Sequence, residues 1–410
     1  MNTQPLMAPA AVVGSYRKWL LQAHLNHIKN VLGAGFRDFG GYLGDDVYRG
    51  IGRNLQDAAL ALRNSDRLTA RLLEESGAHA VTRSPSTALP DNPGQLHTLW
   101  SDLSRQEKDV LYRTDPFLGN RNGIPHVDRD YYNRQTLARL QARAAELSDA
   151  DAAKKYVRIA RALESRPGMP PRYLALIDAR FRVAIASRDP DSAPNVVTYV
   201  APAGTNPITG GARLDKLRQS ALAVDPDSDP SIIAWSGYEG APSVSRSIEA
   251  VHAQSGAPLL RGYQEGLRVT HEGSPARHTV LGYSYGSVTA GHAAAHAPLE
   301  ADNVVFLGSF GVGVDHATDL KLAGVDPGDI ERHVFSTVAE HDWIRLMPKT
   351  HGEPPAGPGF GGITFTTDSD RGPWTSLGWN PHDHHRYWDT SNQAMVNIGR
   401  IITGHGHLVT

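Results

Sequence analysis

Ser284 stands in a segment whose residue types suit nucleophilic catalysis. Residues 282–286 read GYSYG and match the pattern G-x-S-x-G, in which small residues flank a serine in a strained turn between a strand and a helix. The β-branched run HTVLGY precedes the serine, and the run SVTAGHAAAHA, small enough to let a helix approach a sheet closely, follows it. The pattern and its context predict that Ser284 is a nucleophile. A glycine-rich strand-to-helix turn without a catalytic role is the alternative.

The acid partner is expected downstream of Ser284. A serine hydroxyl is a poor nucleophile until a histidine accepts its proton, and a carboxylate must orient that histidine. In folds that carry the nucleophile in such a strand-to-helix turn, the chain order is serine, acid, histidine. Asp342 is preferred because it follows HVFSTVA, the second strand-like run after the nucleophile, whereas its rival Asp315 follows the first, NVVFLGS. Glu340 is a minor rival, and a solvated or helix-capping carboxylate is the non-catalytic explanation for Asp342.

The histidine must come late, and position is the guide among 19 histidines. The segment NPHDHHRYWDTSNQAMVNIGRIITG follows GGITFTTD, interpreted as the last strand, and leads into a C-terminal helix. His382, His384 and His385 compete there. His341, beside the favoured acid, is expected to be a neighbour of the site. The spacing of the three candidates matches neither a helical i, i+4 pair nor a known zinc pattern, so no metal is predicted.

An oxyanion hole made of backbone N–H groups is the remaining requirement. The N–H of Tyr285, the first residue after the nucleophile, is predicted to be one donor. The second is expected from Gly204, or its neighbours Ala203 and Thr205, in the loop APAGTNPITGGA after NVVTYV; an ordinary turn is the alternative. This loop lacks G-x-G-x-x-G and the lysine of a phosphate-binding loop, so a nucleotide is not predicted, and no cofactor is expected.

The elements that must position these residues alternate in type from about residue 171 to 410. Short β-branched runs bounded by Gly, Pro, Asp or Ser predict strands: YLALID, FRVAIASRD, NVVTYVAPA, SIIAWSG, HTVLGYS, NVVFLGS and HVFSTVA. Helix-like stretches lie between them, including 244–267, with a break predicted at Gly256, and 287–297. The alternation predicts an α/β domain with a mostly parallel, doubly wound sheet over 171–410.

The chain upstream of that domain has helical periodicity. Residues 1–90 are predicted to be a helical N-terminal extension, and residues 91–170 a helical lead-in packed on the α/β domain. The Pro- and Ser-rich segment 84–94 is the candidate boundary between them.

Composition excludes several classes of function. The net charge is −2, so no global field favours nucleic acid or an anionic membrane. The absence of cysteine excludes disulfides, thiol catalysis and cysteine-bound metal. No apolar run is long enough for a transmembrane helix, and no basic segment precedes the short apolar stretch near the N-terminus. A soluble, cytoplasmic protein is therefore predicted, with non-Sec export as an alternative.

Several motifs in one order resemble a bacterial α/β-hydrolase family long catalogued as a domain of unknown function and common in high-GC bacteria. The resemblance covers about 97–403 and includes NVVTYVAPAGT, IIAWSGYEGAP, VLGYSYGS, AEHDWI and HHRYWDTSNQAMVNIGRIITG. It implies an α/β-hydrolase fold preceded by a helical region, and a triad of Ser284, Asp342 and His384. Two departures stand out: Tyr283 replaces the usual histidine, and APAGT replaces PGT.

The motifs and the resemblance predict a serine hydrolase that cleaves a carboxylic ester or related acyl substrate through an acyl-enzyme. The substrate is expected to be a small molecule or lipid-like. An acyltransferase with the same triad is one alternative, and a non-catalytic scaffold whose N-terminal helices bind a partner protein is another. Aromatic residues close to the proposed site suggest an apolar acyl pocket, although core packing would explain most of them: Trp235, Tyr238, Tyr283, Tyr285, Trp343, Trp379 and Trp388.

Overall fold

An eight-stranded sheet carries the segment that contains Ser284. The computed structural model describes residues 89–202, 210–241, 245–371, 380 and 382–410. Its strands are β1 (Tyr173–Ile177), β2 (Val183–Ala186), β3 (Asn195–Val200), β4 (Ser231–Ser236), β5 (Arg277–Tyr283), β6 (Asn303–Leu307), β7 (Val334–Thr337) and β8 (Ile363–Thr364). They lie in the order β1-β2-β4-β3-β5-β6-β7-β8. The β1–β2 and β2–β4 pairs are antiparallel and the others parallel, which confirms the predicted mostly parallel sheet.

Helices precede the sheet and connect its strands. Those before β1 are α1 (Pro93–Asp102), α2 (Arg105–Thr114), α3 (His126–Glu146) and α4 (Ala150–Ala162). Those that follow β3 are α5 (Gly210–Val224), α6 (Val251–Thr270), α7 (Tyr285–His296), α8 (Asp383–Arg386) and α9 (Gln393–Ile402). The predicted extension over 1–90 lies, except for its last two residues, outside the described residues. The domain boundaries near 90 and 170 stay predictions.

Both faces of the sheet are covered by helices. Neighbouring residues of one strand point to opposite faces, so Val196 and Val197 of β3 enter different hydrophobic clusters, as do Val280 and Leu281 of β5. The cluster with Val196 includes apolar residues of α6 and α7. The cluster with Val197 includes residues of α3, α4, α5 and α9. This two-sided burial explains why several of the strands are apolar at nearly every position.

The predicted helix break at Gly256 is wrong. Helix α6 runs without interruption from Val251 to Thr270. A Cβ atom at position 256 would lie 2.7 Å from Cδ2 of Tyr238 and 3.0 Å from Cγ2 of Thr289. The glycine therefore allows close packing of α6 against its neighbours instead of ending the helix.

A buried ionic network joins the start of α3 to the sheet domain. His126, fully buried, places Nδ1 2.7 Å from Oδ1 of Asp191, and the hydroxyl of Thr270 donates to the same oxygen at 2.6 Å. The backbone N–H of His126 donates to the other carboxylate oxygen. Burial acts to raise the pKa of Asp191, but the charge of His126 and these hydrogen bonds hold that pKa below its usual range.

Replacement of Asp191 by Asn is expected to lower the free energy of unfolding at pH 7 by about 2–4 kcal/mol. The neutral amide removes the buried negative charge, and its NH₂ group cannot accept the hydrogen bonds that His126 and Thr270 donate to the carboxylate. The native Asp191 contributes its stability above the pKa of the unfolded carboxyl and loses it as the pH falls through the lower folded pKa. The difference between the two proteins should therefore shrink below about pH 4. Urea unfolding of both proteins between about pH 3 and pH 7 measures this difference in unfolding free energy. A difference that does not change with pH would contradict the stabilising role of the ionised Asp191.

Candidate active site

Ser284 lies in a strained turn between β5 and α7. Its φ of 54° and ψ of −128° are unusual for a residue with a side chain, and such strain costs about 1–3 kcal/mol. Its N–H donates to the carbonyl oxygen of Leu307 in the neighbouring strand β6 at 2.9 Å. The surrounding sheet thus holds Ser284 at the end of β5, immediately before the helix.

Two glycines make this turn sterically feasible. A Cβ atom on Gly282 would lie 2.5 Å from Cα of Ser287, in the first turn of α7. A Cβ atom on Gly286 would collide with the carbonyl oxygen of Val200 at the end of β3. The small residues on both sides of Ser284 therefore let helix and sheet approach each other closely.

The structure brings Ser284, His384 and Asp342 together. Nε2 of His384 lies 3.0 Å from Oγ of Ser284. On the other side of the ring, Nδ1 lies 2.9 Å from Oδ2 and 3.1 Å from Oδ1 of Asp342. His384 is 5% exposed and Asp342 is fully buried. The three side chains form one continuous hydrogen-bonded chain, an arrangement in which a histidine and a carboxylate are able to activate a serine.

Tyr387 is a further member of this network that the sequence did not single out. Its hydroxyl donates to Oδ2 of Asp342 at 2.7 Å and accepts from the N–H of Ala339 at 2.9 Å. The other oxygen of Asp342 accepts from the N–H of Ile344 at 2.9 Å. Burial, followed by the charge of Asp342, raises the pKa of Tyr387, so its hydroxyl stays protonated and donates. The buried carboxylate is thereby held in one orientation.

Replacement of Tyr387 by Phe is expected to lower kcat for an ester about tenfold, because a hydrogen bond to a charged group is lost. KM should change little, because the hydroxyl of Tyr387 bonds to Asp342 and to the N–H of Ala339 and its effect on Ser284 passes through His384. Initial rates over a range of ester concentrations measure both parameters. Tyr112→Phe, which changes a buried tyrosine bonded to Thr136, is the control. An unchanged kcat in Tyr387→Phe would argue for a packing role alone.

The rival acids occupy other surroundings. Asp315 is exposed, and its Oδ1 accepts from the N–H of Glu353 at 3.1 Å. Glu340 is exposed as well. Of the three acid candidates, Asp342 is the one that hydrogen-bonds to His384.

The other histidines around His384 make different contacts. His382 is exposed, and its N–H donates to Oδ1 of Asn380 at 3.0 Å. Nδ1 of His385 lies 3.0 Å from the hydroxyl of Tyr283. His341 places Nδ1 3.2 Å from the hydroxyl of Ser369, so the structure places it beside the acid without a contact to Ser284.

Tyr283, which stands where the resembling family usually has histidine, supports the ring of His384. The two rings stack with centroids 5.1 Å apart and an interplanar angle of 30°, and the tyrosine hydroxyl donates to the carbonyl oxygen of His384. Arg213 of α5 places its guanidinium carbon 5.0 Å from the centroid of the Tyr283 ring. No sequence pattern indicated Arg213, because its contact depends on the packing of α5 against β5.

Most of the aromatic residues considered for an acyl pocket are buried. Trp235 and Tyr238 stack on each other in the core. The hydroxyl of Tyr285 donates to the carbonyl oxygen of Glu249 at 2.6 Å. Trp343 is half-buried, and its ring centroid lies 5.3 Å from that of His384. Trp379 lies outside the described residues.

The oxyanion hole stays a prediction. The N–H of Tyr285 is the first of helix α7, and N–H groups in a first turn have no acceptor within their own helix. Gly204, the second predicted donor, lies outside the described residues, as do Ala203 and Thr205. Within the described ranges, no three His, Asp or Glu side chains lie together in a way that could hold a metal ion. No helix in those ranges has the length and apolarity needed to cross a membrane.

Comparisons with known proteins agree with this architecture. A family model described as alpha/beta hydrolase matches residues 178–351, a range that includes Ser284 and Asp342 and ends before His384. Uncharacterized proteins of two Mycobacterium tuberculosis strains, CDC 1551 / Oshkosh and ATCC 25618 / H37Rv, are each 28% identical over 379 residues. The alignment covers 78% of this chain and 56% of each relative, so the chain spans little more than half of their length.

Solved structures with detectable similarity include a hormone-sensitive lipase from a metagenome library, at 15% identity and a TM-score of 0.34. That match covers 67% of this chain and 98% of the lipase. The apo form of Thermogutta terrifontis esterase 2 is 11% identical, with a TM-score of 0.29, over 55% of this chain and 92% of the esterase.

Proposed function

We propose that the chain is a serine hydrolase that cleaves a carboxylic ester or a related acyl substrate, in keeping with the alpha/beta hydrolase family model that matches residues 178–351. The family supports a hydrolase-like function, but this fold hosts several chemistries. The observation that carries the finer proposal is the continuous hydrogen-bonded chain from Oγ of Ser284 through His384 to Asp342. In such a chain a serine hydroxyl attacks the acyl carbon, a histidine accepts its proton, and a carboxylate orients the histidine.

The first half of the reaction forms an acyl-enzyme. Nε2 of His384 takes the proton of Ser284 as Oγ attacks the acyl carbon, and the carbonyl electrons move to oxygen. The N–H of Tyr285 and a donor from the loop after β3 stabilise that oxyanion. The tetrahedral intermediate then expels the alcohol, which receives the proton from His384. Asp342 keeps Nδ1 protonated and stabilises the imidazolium throughout.

Water completes the cycle by the same route. His384 takes a proton from water, the hydroxide attacks the acyl carbon, and Ser284 leaves with the proton that His384 returns. An acyltransferase would differ only in using another alcohol in place of water. Trp343, half-buried beside His384, supports an apolar acyl group or a lipid-like substrate.

Covalent labelling by a fluorophosphonate probe tests the proposal directly, because the probe reacts with an activated serine and leaves unactivated ones unmodified. The folded chain is expected to label, and heat-denatured protein is the control. A series of p-nitrophenyl esters of increasing acyl length then defines the substrate class, and added alcohols reveal acyl transfer. A folded chain that neither labels nor turns over any ester would favour the non-catalytic scaffold instead.

A further inference from the structure

Helix α4 carries cations that the proposed reaction does not use. Lys154, Arg158 and Arg161 are all exposed, and a helix that turns about 100° per residue places them within an arc of about 60°. Tyr156 and Ile159 lie on the opposite, buried side of the helix. We call Lys154, Arg158 and Arg161 the basic face.

The basic face lacks counter-ions in the part of the chain that the structure describes. None of its three side chains forms an ion pair there, although many other arginines of the protein do. Arg166, nearby in the sequence, donates with both terminal nitrogens to the carboxylate of Asp215. The charge of the basic face is therefore available to an external anion.

Two depressions share this face. One of ≈ 560 Å³ and one of ≈ 400 Å³ are both lined by Arg158 and Arg161. Cationic side chains outnumber carboxylates in their combined lining, which comprises Lys154, Lys155, Arg158, Arg161, Arg166 and Arg172 against Asp151 and Asp215. The surface around the two depressions is therefore positively charged, although the whole chain has a net charge of −2. The net charge alone does not reveal this basic surface.

An apolar side chain borders the same arc. Val157 is 41% exposed and lies about 40° from Arg161 around the helix. Surfaces that rest on membranes combine basic side chains with exposed apolar ones, since the former attract anionic headgroups and the latter enter the interface. A soluble polyanion would use the cations alone. The combination favours a lipid surface over a nucleic acid.

We propose that the basic face and Val157 dock the protein onto an anionic phospholipid bilayer. Docking itself does not depend on the proposed hydrolase activity. The role that we assign to docking, which is to hold the enzyme beside a lipid-like ester, rests on that proposed function. Each basic side chain near an anionic surface strengthens binding about fivefold. The interaction should weaken at high salt, because exposed charges are screened.

Co-sedimentation of the full chain with vesicles tests the proposal. Vesicles of phosphatidylcholine with about 30% phosphatidylglycerol are expected to bind the protein at about 0.15 M salt, and pure phosphatidylcholine vesicles much less. Simultaneous Lys154→Gln, Arg158→Gln and Arg161→Gln should weaken binding at least tenfold. Removal of three exposed cations elsewhere, by Arg113→Gln, Lys321→Gln and Lys349→Gln, should change it less than twofold. Val157→Ser should weaken vesicle binding severalfold and leave heparin binding unchanged.

Each outcome has a defined meaning. Failure of the wild-type chain to bind anionic vesicles would overturn the docking proposal, and so would equal losses in the two triple variants. Binding to heparin without binding to vesicles would also overturn it, and would indicate a soluble polyanion as the partner. Turnover of a water-soluble ester is measured in parallel and should be equal in all variants. Vesicle binding without any turnover or probe labelling would leave docking intact and refute the proposed hydrolase function.

Discussion

Replacement of Ser284 by Ala is expected to abolish fluorophosphonate labelling and to lower kcat for a p-nitrophenyl ester by about 10⁴- to 10⁶-fold. Without Oγ, no acyl-enzyme forms, and His384 can at best assist direct attack by water. The residual rate over the uncatalysed reaction reports what binding and oxyanion stabilisation contribute without the nucleophile. Gel fluorescence of the labelled protein and a spectrophotometric ester assay measure the two effects.

Ser287→Ala is the matched control for this change. Ser287 lies in the first turn of the same helix, is fully buried, and donates its hydroxyl to the carbonyl oxygen of Gly282 at 2.9 Å. Its loss should reduce stability by about 1 kcal/mol while labelling at Ser284 persists. If Ser284→Ala labelled like the wild type, the nucleophile would lie elsewhere and the proposed mechanism would be wrong.

The strands and the position of Ser284 could be predicted because the signals for them are local. β3 and β5 are buried along nearly their whole length because both faces of the sheet are covered, and this favours short runs with β-branched residues that end at turn residues. A Cβ atom at Gly282 or Gly286 would collide with the backbone of α7 or β3, so both positions favour glycine. The five-residue pattern G-x-S-x-G therefore predicts the turn.

The choice among the late histidines depends on contacts that no local pattern records. Three histidines lie within four positions, and the single turn of α8 decides which ring faces Ser284. That turn is fixed by Asp383, fully buried, which accepts from the hydroxyl of Ser369 and, at 3.2 Å, from the N–H of Asp370. Residues this far apart in the chain meet only in the folded protein. The family resemblance is therefore what favours His384 over its neighbours in the sequence.

Tertiary packing also explains the features that no local sequence pattern indicates. Tyr387 bonds to Asp342 across 45 residues, and Arg213 meets Tyr283 from another element. Glycine weakens helices, so the sequence predicts a break at Gly256, yet the close approach of Tyr238 shows that tight packing outweighs that cost. In each case the deciding neighbour lies in another part of the sequence.

Replacement of Asp342 by Asn is expected to lower kcat about 10⁴-fold while the protein remains folded. The amide keeps the size of the carboxylate, but its NH₂ group can donate to Nδ1 of His384. The imidazole would then carry its proton on Nε2, facing Ser284, where it cannot accept the hydroxyl proton. The imidazolium formed during attack would also lose its buried counter-charge. Initial rates with a saturating ester measure kcat, and far-UV circular dichroism checks the fold.

Asp315→Asn provides the matched control, because Asp315 is exposed and accepts only a backbone N–H of Glu353 among the contacts of the described residues. Its turnover should stay within about twofold of wild type, as is usual for surface substitutions. The pair of variants separates the two acids that follow successive strands after Ser284. A large loss in Asp315→Asn with little loss in Asp342→Asn would assign the acid to the loop after β6, and would mean that His384 turns away from Asp342 when substrate binds.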